Sequence, residues 1–259
     1  MTTLSSREIA RFAPGEHGIA QFAIQVMSIL VGDAAQASGP PREDLLARLV
    51  RAALTGDPAI LAQLSLDFRR LRIPAATAVD VYIPAAVSEI GTAWHDDVID
   101  ILDATIAVTR LQNLVREFGR GWQADATDRR QEGSVLMVVP EGESHTLGAM
   151  IATSQLRRMG VSVALLLAPA AREIDHMLET RRFDGLFLSV GNHDSLESAA
   201  TIVKTMERRM SRRLPVVAGG SIPVELDVVR RATRADFATR DVGAALDFLG
   251  MRTSRYAAQ

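Results

Sequence analysis

The chain has 259 residues, 47% of them hydrophobic, enough for two modest domains each with a core of its own. It has no cysteine, which excludes disulfides, thiolate-held zinc or iron–sulfur sites and a cysteine nucleophile. A formal net charge of −2 provides no broad basic field for DNA, and no stretch reaches the roughly 18 to 20 apolar residues of a membrane span, so the expectation is a soluble, cytoplasmic protein without direct DNA or membrane binding.

Up to Gln123 the pattern is helical throughout. Ile19, Phe22, Ile24, Val26, Met27, Ile29, Leu30 and Val31 predict a first helix that is apolar on most sides. Such a helix needs cover, either from the rest of the bundle or from a second copy in a homodimer. Pro40 and Pro41 interrupt it. The second helix, Arg42 to Thr55, carries Leu45, Leu46, Leu49, Val50 and Leu54 on one face and stops at Gly56. Asp57 is placed to cap the third, with Pro58 at its first position and Ile60, Leu61, Leu64, Phe68 and Leu71 as its stripe. The fourth begins after Pro74 and spans 75 to 93, with a kink expected at Pro84 and Trp94 at its end. Asp96, Asp97, Asp100 and Asp103 read as a solvated helix start favoured by the helix dipole, not as a cation cage. A last helix, Ile99 to about Trp122, completes a five-helix bundle.

Gln123 to Gly133 is polar and lacks apolar periodicity, which sets a linker at 124–132 between a bundle domain (1–123) and a second domain (133–259). Beyond it, short apolar runs at Ser134–Val139, Val161–Leu167, Gly185–Val190, Pro215–Ala218 and Ala235–Thr239 alternate with helical patterns at 146–159, 170–182, 194–211, 223–233 and 241–250. Parallel strands need crossover helices, so this alternation predicts a five-stranded parallel sheet covered on both faces, an α/β fold after an all-α part. Arginines 208, 209, 212 and 213, and 230, 231 and 234, read as solvated helix faces.

In open parallel sheets, ligands bind beyond the carboxyl ends of the strands. That rule selects three loops: Pro140 to Gly148 after the first strand, Ser189 to His193 after the third, and Gly219-Gly220-Ser221 after the fourth. Glu143 stands two residues before His145, and a carboxylate beside an imidazole holds its tautomer and raises its basicity toward a metal. Gly148, and likewise Gly219 and Gly220, would let something bulky approach the backbone.

Glu143-x-His145-x-x-Gly148, Ser189-Val190-Gly191 and Gly219-Gly220 resemble the Asp-x-His-x-x-Gly, Ser-x-Leu and Gly-Gly signature of B12-binding domains of flavodoxin-like fold, over about residues 132 to 250. The resemblance implies that His145 ligates the cobalt of cobalamin from below, in place of the corrinoid's own dimethylbenzimidazole. It also implies that Ser189 bonds the displaced base and that the glycines accommodate the nucleotide tail. Two positions depart from the signature: Glu143 replaces aspartate, and Gly191 stands where leucine is usual. The helical half resembles the cap that precedes the B12 domain in corrinoid methyl carriers and light-sensing regulators, with Trp94 where a tryptophan shields the upper face of the corrin ring. His95 beside it is the alternative axial ligand. Ala104-Thr105 occupy the place of the Glu-His pair of photoregulator caps. The stretch Ile90 to Asp97, with Asp103-Ala104-Thr105 and Arg110-Leu111-Gln112, is similar to the PpaA/AerR group of purple bacteria.

That likeness implies a cobalamin-dependent, non-enzymatic antirepressor. It would respond to light or redox state and touch a transcriptional repressor of photosynthesis genes. A corrinoid methyl-carrier subunit, a haem sensor using the same histidine and a scaffold that has lost its ligand remain as alternatives.

Overall fold

In the computed structural model of the protein, residues 39–125, 133–209 and 213–251 are described. The expected first helix and residues 126–132 of the linker lie outside them.

Among the described residues the helical part comprises α1 (Glu43–Thr55), α2 (Pro58–Arg70), a continuous helical run from Ala75 whose main segment is α3 (Ile83–His95), and α4 (Ile101–Asp125). The local signals act as their chemistry dictates. Gly56 ends α1 in the left-handed conformation, φ 68°, and its N–H bonds Ala52 O. The Asp57 carboxylate caps α2 by accepting from Ala59 N at 2.8 Å, and Pro58 follows at N1. Asp100 caps α4 through Asp103 N at 2.7 Å. Arg110 of α4 donates to Ala53 O and Leu54 O, both at 2.7 Å, and so satisfies carbonyls at the end of α1. Its guanidinium lies against the bare Cα of Gly56.

The kink expected at Pro84 takes a different form. Residues Ala78–Tyr82 form a π-helical turn directly before it, closed by Ile83 N–H to Ala78 O, five residues back. A proline has no N–H and its ring crowds the carbonyl of residue i−4; the wider turn accommodates both within an unbroken helical run.

The second part alternates β1 (Gly133–Val139), α5 (Thr146–Arg158), β2 (Val161–Leu167), α6 (Ala171–Thr180), β3 (Gly185–Ser189), α7 (His193–Arg209), β4 (Val216–Gly219), α8 (Leu226–Thr233), β5 (Phe237–Ala238) and α9 (Val242–Phe248). All strand pairs are parallel and the order is β2-β1-β3-β4-β5, the flavodoxin-like order. β3 is buried along its whole length, as a strand covered on both faces must be, whereas edge strand β2 is only partly buried. β5 forms two residues of ladder, shorter than the five expected, and α8 starts three residues late, after the Pro223 turn.

Among the described residues, three apolar clusters form the core. One lies between the sheet and α6, α7 and α8. A second lies on the opposite face, under α5 and α9, with Leu156 and Leu246 fully buried. The third is the bundle core, and it takes in Leu147, Met150 and Ile151 of α5. α5 therefore belongs to both parts: one side packs on the sheet and the other on the bundle.

Candidate functional site

The order β2-β1-β3 places the switch point between β1 and β3, where the chain leaves in opposite directions. The loop after β1 carries Glu143 and His145, and His145 is the N-cap residue of α5. Glu143 Oε1 accepts the backbone N–H of His145 at 2.7 Å and lies 2.7 Å from His145 Nδ1. Its Oε2 accepts the N–H of Gly191, from the loop after β3. The Glu143 side chain is fully buried, while that of His145 is 43% exposed. A buried carboxylate thus grips an imidazole that reaches the surface.

Burial by itself pushes the Glu143 carboxyl up. The hydrogen bond from the His145 side chain, the backbone N–H and the charge of the same residue, and the Ser195 hydroxyl outweigh it and hold the carboxyl below its ordinary value. Glu143 is therefore a carboxylate that acts as an acceptor.

The three selected loops do converge. Val190 N bonds Gly219 O at 2.8 Å, and Ile222 N reaches Val190 O at 3.4 Å, so the β4 loop is laced to the β3 loop. Ser189 is buried at the end of β3, in register with Gly219. A side chain on Gly219 would meet Thr239 O at 2.5 Å, and one on Gly220, φ 123°, would meet the Val190 backbone. The bareness of these two glycines is thus required by neighbouring backbone. Gly148 lies in the first turn of α5, half-buried.

Trp94 sits at the end of α3, half-buried, and packs against the bundle core. His95 next to it is exposed. The bundle meets the His145 loop through Leu147 and through Gln112 Nε2, which donates to Thr146 Oγ1 at 3.0 Å. His193 opens α7, half-buried.

Three contributors were not singled out from the sequence. Ser195 is completely buried, helps to hold the Glu143 carboxyl low, and donates its hydroxyl to Asn192 O at 2.8 Å. Asn192 caps α7 through Ser195 N at 2.8 Å and donates to Gly142 O at 2.9 Å, tying the two loops together. Ser221 lies against Gly191. The signal that could have found Asn192 and Ser195 is their three-residue spacing before an apolar helix, the pattern of an N-cap.

Among the described residues no three His, Asp or Glu side chains cluster to hold an ion. A single imidazole backed by a buried carboxylate suits a metal that arrives with ligands of its own, as cobalt does within a corrin.

A family model described as the B12 binding domain matches residues 133–244, spanning every loop described above. Over 180 residues the chain is 36% identical to a Rhodobacter capsulatus protein, "Uncharacterized 20.5 kDa protein in bchF-crtJ intergenic region", covering 70% of this chain and 94% of the relative. The chain belongs to the B12-binding family. The relative is consistent with membership of the PpaA/AerR group. This B12-binding protein also shares its fold with the Methanosarcina barkeri monomethylamine corrinoid protein. Their TM-score is 0.60 at 15% identity, covering 80% of this chain and 98% of that one. No helix among the described residues is long and apolar enough to cross a membrane.

Proposed function

We propose that this B12-binding protein is a regulator and not an enzyme: it holds cobalamin between cap and sheet, with His145 as the lower ligand to cobalt, and acts as an antirepressor by contact with a transcriptional repressor of photosynthesis genes. The observation that carries the reading is the buried Glu143 carboxylate on the half-exposed His145 imidazole at the switch point. The 36% identity to a protein encoded between bchF and crtJ supports the regulatory half.

Each residue then has a stated task. Glu143 is anionic and engages Nδ1, which fixes the tautomer that ligates through Nε2. Ser189 and the Gly219–Gly220 turn line the neighbouring strand ends, where the tail of the corrinoid would run. Trp94 covers the upper face from the cap. Cobalamin, when bound, supplies a metal whose upper ligand responds to light or redox state. A shift of the imidazole would reach the cap directly, because the residue after His145 is hydrogen-bonded to Gln112 of α4.

The test uses the full chain gel-filtered with hydroxo- or adenosylcobalamin, as wild type and as His145→Ala, in darkness and after illumination. Visible spectra are recorded, and each sample is titrated against the repressor on its operator DNA. Co-eluting corrinoid, a band shift lost in His145→Ala and repressor release that depends on illumination are expected. Absence of co-eluting corrinoid would sink the proposal. Bound corrinoid with the same repressor affinity in both states would remove the regulatory half and favour a methyl carrier.

A further inference from the structure

We propose that Gly191 is a positioning residue for His145: its bare Cα makes room for the Glu143 carboxylate and its N–H pins that carboxylate from the loop after the adjacent strand β3. The inference rests on the reading of His145 as the ligand, and it assigns a role to a residue with no side chain.

The geometry is specific. A Cβ added at Gly191 would lie 2.9 Å from Glu143 Oε2, 3.0 Å from Glu143 Oε1 and 2.9 Å from Ser221 Oγ. The end of a long side chain can usually step aside from such an approach. This one cannot do so without loss, because its oxygens are held by the His145 backbone N–H, by the His145 ring and by the Gly191 N–H itself. Any retreat breaks a hydrogen bond in a site where water cannot replace it. Gly191 is not in the left-handed region, so alanine can adopt its backbone and the effect of a methyl group there is purely steric.

The two departures from the B12-binding signature thereby become one. An aspartate would end about one C–C bond, ~1.5 Å, short of the Gly191 N–H. A larger residue at 191 would occupy the volume that the longer glutamate fills. Glutamate at 143 and glycine at 191 each make sense in the presence of the other.

The experiment compares wild type, E143D, G191A and the double variant by two independent readouts. The first is the ring ¹⁵N spectrum of His145 without cobalamin, which reports its tautomer. The second is the affinity for hydroxocobalamin with its histidine-ligated band. G191A is expected to mix the tautomers and to weaken binding about 10- to 100-fold, the usual consequence of disturbing the group behind a ligating histidine. In the E143D background the same methyl group should cost about twofold or less, because the carboxylate has withdrawn. Multiplicative losses, or G191A with wild-type tautomer and affinity, would overturn the proposal. If G191A does not fold, recovery of folding in the double variant supports the unit and continued failure overturns it. If wild type binds no cobalamin, the functional reading falls while the ¹⁵N spectra still decide the Gly191 question.

Discussion

Glu143 is a charged group kept away from water, and the sign of its effect on stability follows from its partners. Its carboxyl is held below the ordinary 4.5 in the folded chain, so the folded state releases that proton more readily than the unfolded one. The contribution is fully present above about pH 4.5 and is lost as pH falls through the depressed folded value. In E143Q the acid limb of stability below that point should flatten. At neutral pH the variant should lose about 1.5 to 3 kcal/mol, the scale of a charged hydrogen bond. Urea unfolding at several pH values checks both, and an unchanged acid limb would show that Glu143 is not the titrating group. At this scale the sequence shows the Glu143–His145 pair, because two residues of one loop lie side by side. It picks out Gly191 as a departure from the signature but does not show its contact with Glu143, because its N–H meets the carboxylate from 48 positions away. A glycine also carries no chemical signal of what has been fitted against it.

Among the elements, the π turn Ala78–Tyr82 does more than accommodate Pro84. It places Asp80 beside Arg158 at the far end of α5, and Gln155 reaches the same carboxylate at 3.4 Å. Arg158 also lies over the Trp122 ring of α4, 4.5 Å from its centroid. The pair is almost wholly removed from solvent, at 6% and 17% side-chain exposure, and burial raises the Asp80 carboxyl despite its cationic partner. Removing one member leaves the other charge stranded, so D80N is expected to destabilise the protein by about 3 to 5 kcal/mol. Replacing both with apolar residues of similar size should recover most of that loss. Thermal unfolding of the single and double variants tests this; equal losses in both would mean that the pair itself, and not the stranded charge, carries the energy. The helices and strands were legible because apolar periodicity is local. The pairing of Asp80 with Arg158 was not, since 78 residues separate them. β5 is shorter than its sequence suggests for a related reason: Ala235 to Thr239 is apolar enough for a strand, but only Phe237 and Ala238 find ladder partners on β4.

For the molecule as a whole, α5 is the joint. It begins at His145, ends at the Arg158–Asp80 pair, and buries one face on the sheet and the other in the bundle core. Under the proposed function the corrinoid lies between the two parts at the His145 end, where Trp94 is half-buried and Val98, Ile101, Leu102 and Ile106 are exposed apolar residues on the adjoining loop and α4. Apolar side chains left in water next to a half-covered tryptophan are a surface on which a corrin ring would gain from being seated. The two tryptophans allow a direct check. In W122F, phenylalanine keeps a ring under Arg158 and Trp94 becomes the sole indole. Its N–H resonance is expected to shift and to lose access to a soluble paramagnetic probe when adenosylcobalamin binds against it. If illumination changes how the cap sits on the corrinoid, as the proposed switch requires, the resonance should move to a third position with intermediate access. Bound corrinoid that leaves the indole signal and its probe access untouched would remove Trp94 from the upper face. The cap would then respond only through α5, by way of the Gln112–Thr146 hydrogen bond.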